Sequence, residues 1–176
     1  MINRELYMEQ ITPFIDKPFV KVITGIRRCG KSVVLRLIRE ELLRRGVSED
    51  YIIYMNFESF EWIDMKEAKA LYAHIREATK ASGKYYILLD EIQEVTDWEK
   101  AVNAFLVDLD VDIYVTGSNS RLLSSEFSTY LAGRYVAFHI MTLSFREYLL
   151  FHDLPLTISV SDRKTEFLKY LRMGGF

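Results

Sequence analysis

The sequence predicts an α/β fold in which a parallel sheet carries crossover helices. Three observations predict it. Short apolar runs rich in Val, Ile, Tyr and Phe alternate along the chain with longer amphipathic segments, the pattern of buried strands joined by helices. Glycines stand at the ends of amphipathic segments, at Gly46, Gly83 and Gly133, where a helix C-terminus favours a residue that tolerates a left-handed turn. A stretch bracketed by two further glycines, Gly25 and Gly30, separates the first apolar run from the first long amphipathic segment.

Taken in order, "NRELYMEQITPFID" reads as a leading helix interrupted by Pro13 and ended before Pro18. Strands are expected at "FVKVIT" (19–24), "YIIYMNFE" (51–58), "YYILLDE" (85–91), "VDIYVTG" (111–117) and "YVAFHI" (135–140). Between them lie helical patterns over 32–46, 65–83, 98–109 and 120–133, the second and fourth closed by Gly83 and Gly133. Two more helical patterns, "LSFREYLLFHD" and "SDRKTEFLKYLRMGGF", flank a turn near Pro155.

The bulk properties narrow the function classes. With 176 residues, 49% of them hydrophobic, the chain can bury one ordinary core. A net charge of -2 gives no global basic field, so nucleic acid is not supported as a partner by charge, though a local patch is not excluded. One cysteine, Cys29, and three scattered histidines leave neither a disulfide framework nor a zinc-like cluster. No apolar run reaches membrane-spanning length and the N-terminus lacks an apolar leader segment, so a soluble, unprocessed protein of the cytoplasm is expected.

The stretch "GIRRCGKSVV" carries the chemistry. Gly, four residues, then Gly-Lys-Ser is the P-loop spacing: backbone N–H groups surround phosphates, the lysine reaches the β and γ phosphates, and the hydroxyl ligates Mg²⁺. It falls between a strand and a helix, where the helix N-terminus adds free N–H groups and a favourable dipole. Gly25, Ile26, Arg27, Arg28, Cys29, Gly30, Lys31, Ser32 and Val33 are therefore the expected nucleotide-contacting residues. "YYILLDEIQ" places Asp90 and Glu91 at the carboxyl end of a buried strand, the edge where open α/β sheets bind ligands. Asp90, with Ser32, is expected to hold Mg²⁺, and Glu91 to act as general base on the attacking water. "VDIYVTGSNS" ends a further strand in polar residues. Ser118 or Asn119, with Asn119 preferred, is expected near the γ-phosphate; the same residues also suit a turn and a helix N-cap.

The order of these motifs resembles the AAA+ superfamily of P-loop ATPases. More narrowly, "VITGIRRCGKS", "YYILLDEIQEVTDWEKAVN", "TGSNSRLLSSE", "LAGRYVAFHIMTLSFREYL" and "YLRMGGF" resemble a bacterial and archaeal family of AAA-type ATP-binding proteins, over nearly the whole chain. The resemblance implies a three-layer αβα sandwich with a five-stranded parallel sheet of order 5-1-4-3-2. It also implies Lys31 and Ser32 at phosphate and Mg²⁺, Asp90 and Glu91 as the Walker B pair, and Asn119 as the polar sensor. Members continue past the "GGF" into a lid and a further domain, so residues 1–143 are expected to form the nucleotide-binding core and 144–176 the start of a lid.

Other residues have competing roles. Arg134 precedes the fifth strand, where ring-forming AAA+ proteins carry an arginine finger acting on a neighbour's nucleotide; a surface arginine fits equally. Arg27 and Arg28 suit either phosphate or a solvated loop. Cys29 beside a helix N-terminus suggests a lowered thiol pKa, but small apolar filling is the better reading. Trp98 is expected to pack a helix on the core. The leading function is ATP binding and Mg²⁺-dependent hydrolysis coupled to conformational change, with ATP favoured over GTP by the resemblance. The alternative is a nucleotide-gated switch with little turnover. A homo-oligomer or protein partner is compatible with both.

Overall fold

The computed structural model describes residues 4–118, 122, 131–157 and 159–175. Five parallel strands form one sheet: β1 (Val20–Gly25), β2 (Ile52–Asn56), β3 (Tyr85–Asp90), β4 (Val111–Gly117) and β5 (Tyr135–Ile140). Their order, β2-β3-β4-β1-β5, is the expected 5-1-4-3-2 read from the other side. Six helices are described: α1 (Glu5–Ile11), α2 (Lys31–Arg44), α3 (Ala68–Ala78), α4 (Trp98–Asp108), α5 (Phe145–Phe151) and α6 (Val160–Met173).

Strand alternation sorts the core into two halves. On one face Val20, Val22, Met55, Ile87, Leu89, Ile113 and Val115 meet Leu71 and Ile75 of α3 and Trp98, Val102 and Phe105 of α4. On the other, Ile23, Leu88, Tyr114, Phe138 and Ile140 meet Tyr7 and Ile11 of α1 and Val34, Leu35, Ile38 and Leu42 of α2. This is the expected αβα sandwich, and Trp98 is in its core. Because every pairing is parallel, all five carboxyl ends reach one edge of the sheet. The connections from β1 to α2 and from β3 to α4, and the segment after β4, are among those that leave that edge.

Several boundaries differ from expectation for local reasons. The leading helix stops at Ile11, because Pro13 turns the chain into a short 3₁₀ segment, Thr12–Phe14. The helix expected over 65–83 begins at Ala68 and is capped at Thr79, whose side chain donates to the Ile75 carbonyl at 2.9 Å. Gly83 lies in the connection to β3 and is not the cap. Helix α6 ends at Met173: Gly174 has a positive φ (+73°) and the Gly175 carbonyl accepts from Leu143 N at 2.8 Å. The helix expected over 120–133 lies almost wholly outside the described residues. Helices α5 and α6 pack on each other through rings, with Phe145 and Tyr148 5.6 and 5.4 Å from Tyr170.

Candidate functional site

The turn from β1 into α2 is built so that only glycine fits at two positions. A Cβ on Gly25 would stand 2.4 Å from the Ile140 carbonyl oxygen and 2.6 Å from Cys29 Sγ. Gly30 is the residue before α2 and has φ +99°, a conformation a side chain would strain. Arg28 takes φ +66° without that licence, which marks a backbone held by its surroundings. Ile26, Arg27 and Arg28 are exposed, while Cys29 and Lys31 are buried on either side of Gly30. Burial raises the Cys29 thiol above its ordinary pKa, so the helix terminus does not activate it. Small apolar filling is the role the structure gives it.

Lys31 reaches across the mouth of this loop. Its Nζ lies 3.4 Å from the Ile26 carbonyl and 3.3 Å from Glu91 Oε1, with side-chain exposures of 4% and 17% for Lys31 and Glu91. Two sequence-predicted residues, sixty positions apart by number, are thus brought together by β1 and β3 ending at the same edge. Asp90, fully buried, is the last residue of β3. Glu91 is not the next strand residue, as expected, but a left-handed one (φ +54°) that starts the 3₁₀ turn Ile92–Glu94. Its N–H donates to Thr116 Oγ1 at 2.9 Å, and this bond, with the turn, aims the side chain.

Three residues overlooked in the sequence fix the two carboxylates. Thr116 Oγ1 donates to Asp90 Oδ1, and Tyr54 OH donates to Asp90 Oδ2 at 3.0 Å. Burial first, and Asp90 second, push the Tyr54 hydroxyl up to about 12, so it stays a donor throughout the neutral range. Gln93 Nε2 donates to Glu91 Oε2. The Gln93 amide also lies against Gly117, where a Cβ would stand 2.1 Å from Oε1. Only the strand register, with Leu89 of β3 opposite Val115 of β4, sets Thr116 beside Asp90, and no sequence signal reports register.

Ser32 and Val33, half-buried, follow Lys31 in the first turn of α2. Ser118 is half-buried just beyond β4; Asn119, the preferred sensor, lies outside the described residues. Arg134 is not brought to this cluster: its carbonyl accepts from Val20 N at 2.9 Å, at the opposite edge of the sheet, and its guanidinium donates to Asn103 at 3.0 Å.

A glycine-bounded turn opening a helix, a buried lysine at its mouth and two carboxylates from the end of β3, which β4 separates from β1, lie together at the carboxyl edge of the sheet. A family model described as an AAA domain matches residues 17–149. This chain belongs to the AAA domain family. It is 44% identical, over its full length, to an uncharacterized protein of Haemophilus influenzae, and 34% identical to one of Methanocaldococcus jannaschii. The AAA chain covers 44% and 38% of those two proteins, so it spans less than half the length of the curated relatives it matches. Among solved structures it is similar to AMPPCP-bound DnaA from Aquifex aeolicus, with a TM-score of 0.57 and 17% identity. That likeness covers 100% of this chain and 63% of DnaA. It is also similar to the ORC1 protein of Aeropyrum pernix in complex with DNA, with TM-score 0.54 and 17% identity over 94% of this chain and 50% of that one. At these identities the likeness concerns the fold, which is that of an AAA+ P-loop ATPase core. Among the described residues, no helix is long and apolar enough to cross a membrane.

Proposed function

We propose that this AAA domain binds ATP with Mg²⁺ at Gly25–Val33 and hydrolyses it. The observation that carries the reading is the meeting of Lys31 and Glu91 over a glycine-bounded helix N-terminus, with Asp90 buried alongside. The residues fit the groups they would hold. Ser32 offers a hydroxyl and Asp90 a carboxylate, the hard oxygen donors Mg²⁺ takes, and the loop offers backbone N–H groups and a helix dipole to phosphate. Bound Mg²⁺-ATP supplies the phosphoanhydride and a metal that neutralises its charge.

The chain's own residues do the rest. Lys31 exchanges Glu91 for phosphate, which its loose contacts of 3.3 and 3.4 Å permit. Glu91, released from the ion pair, takes a proton from water as general base. Thr116 and Tyr54 hold Asp90 in place, so the metal ligand need not reorganise. The adenine ring of the nucleotide takes the cleft of about 840 Å³ walled by Leu6, Tyr7, Met141, Leu143 and Tyr170 and rimmed by Glu5 and Arg146, next to Arg4, whose guanidinium touches the loop. Residues 1–143 act as the nucleotide-binding core and 144–176 as the start of a lid that moves with occupancy. Arg134, remote from the site of its own chain, acts in trans if the protein assembles.

One observation favours a second reading, a nucleotide-gated switch with little turnover: Lys31 and Gln93 both engage the Glu91 carboxylate. Single-turnover phosphate release separates the two. Glu91→Gln should retain Mg²⁺-ATP and lose about 10² in rate. Equal slow release by both proteins would remove the enzyme reading and leave the switch.

A further inference from the structure

Arg4 is 2% exposed, although it precedes the first helix of the chain. A guanidinium keeps its charge when buried and must be met by acceptors. Here two carbonyls accept from it and one carboxylate pairs with its charge, from three separate places. Nη1 donates to the Cys29 carbonyl at 2.9 Å, Nη2 donates to the Met141 carbonyl at 2.9 Å, and Nε lies 2.7 Å from Glu147 Oε1. The Tyr7 ring covers the guanidinium with its centroid 4.7 Å away, and Tyr7 OH accepts from Met141 N at 3.0 Å. One planar fork thus joins the loop Gly25–Gly30, the end of β5 and the first turn of α5.

Each contact is placed where it transmits position. The Cys29 carbonyl and the Gly30 N–H belong to one trans peptide, so they point in opposite directions. Holding the carbonyl on Arg4 turns the Gly30 N–H away from Arg4, toward the side of the loop left for phosphate. Gly30 has little room on the Arg4 side: a Cβ there would stand 3.1 Å from Nη1. At the other end Glu147 is shared, with Oε2 accepting from Ser144 N at 2.8 Å and Ser144 Oγ accepting from Glu147 N at 3.3 Å. This capping box makes the carboxylate that neutralises Arg4 the same group that starts α5. Displacing α5 therefore strands a buried charge next to the loop.

We propose that Arg4 is a positioning residue that couples the conformation of the Gly25–Gly30 loop to the placement of helix α5. The coupling rests on the reading of the loop as a phosphate site, and it is reciprocal: occupancy of the loop biases α5, and α5 biases affinity. Nothing in the spacing of the motifs indicates it, because Arg4 precedes Cys29 by 25 residues and Glu147 follows the loop by more than a hundred.

The test has two arms on the 176-residue chain. Without nucleotide, Glu147→Gln should raise amide hydrogen exchange of the loop Gly25–Gly30 severalfold, although Glu147 touches the loop only through Arg4. Unchanged loop exchange in that variant overturns the proposal. With ADP as probe, calorimetry should show Arg4→Met weakening binding about tenfold, Arg4→Lys giving only partial rescue, and Arg4→Met with Glu147→Gln no weaker than Arg4→Met alone. Additive losses, or wild-type affinity in Arg4→Met, also overturn it. If Arg4→Met does not fold, Arg4→Lys and Glu147→Gln carry the same comparison. If wild-type protein binds no nucleotide while loop exchange still responds to Glu147→Gln, the proposed function falls and the coupling stands.

Discussion

Two lysine–carboxylate pairs lie at opposite ends of the same sheet, and they differ in what else surrounds them. Lys21 and Asp112, near the amino ends of β1 and β4, form an ion pair with side-chain exposures of 0% and 1%. Lys21 also donates to the Lys17 carbonyl at 2.8 Å, while Asp112 Oδ2 accepts from Asp16 N and Tyr114 OH, each at 2.8 Å. Burial draws Lys21 below the ordinary lysine range and Asp112 opposes it. Lys31 and Glu91, at the carboxyl edge, are paired at 3.3 Å and open to solvent on the Glu91 side. The first pair is closed, with both ions satisfied by fixed neighbours, and it fastens the strand ends and the Asp16 turn. The second can exchange partners. A charge pair serves structure when its partners are saturated, and chemistry when one partner can leave.

The largest test of that contrast breaks the closed pair. Asp112→Ala should cost about 3–5 kcal/mol of stability in urea unfolding, because it leaves Lys21 buried without its carboxylate. Lys21→Met with Asp112→Leu should recover most of that loss, since an apolar pair of similar volume removes the uncompensated charge. The open pair should behave in the opposite way. Lys31→Ala should leave the unfolding free energy within about 1 kcal/mol of wild type while weakening ATP binding on the order of tenfold or more by calorimetric titration. If Lys31→Ala unfolds as readily as Asp112→Ala, the distinction between the two ends fails.

Smaller changes sharpen it. Tyr54→Phe removes one hydrogen bond to Asp90 and should lower stability by about 1 kcal/mol. It should also weaken the Mg²⁺ dependence of nucleotide binding a few-fold, read by titrating the metal at fixed ATP. Cys29 gives the smallest effect. Its buried thiol has a raised pKa, so it is protonated at neutral pH, and alkylation should stay slow until the pH passes the ordinary thiol range or the protein unfolds. Rapid labelling at neutral pH would show a loop more open than the one described.

The sequence by itself determined the sheet, its helices and the candidate nucleotide loop, because these depend on local chemistry. Apolar runs such as "YYILLDE" and "FVKVIT", short and rich in β-branched and aromatic residues, read as buried strands. Glycines at Gly25 and Gly30 ahead of an amphipathic segment state a tight turn into a helix. Lys31, Asp90 and Glu91 were legible for the same reason, each lying in a short motif at the end of an element. Tertiary structure alone decided what holds them. Thr116 reaches Asp90 through strand register, Tyr54 through the neighbouring strand, and Glu91 is aimed by a left-handed turn rather than by strand alternation. Lys21 and Asp112 read as single charges inside apolar strands, and only parallel pairing of β1 with β4 makes them partners. Arg4 and Glu147 meet because β5 returns beside β1. Contacts across such sequence distances depend on packing, whose geometry no local pattern encodes.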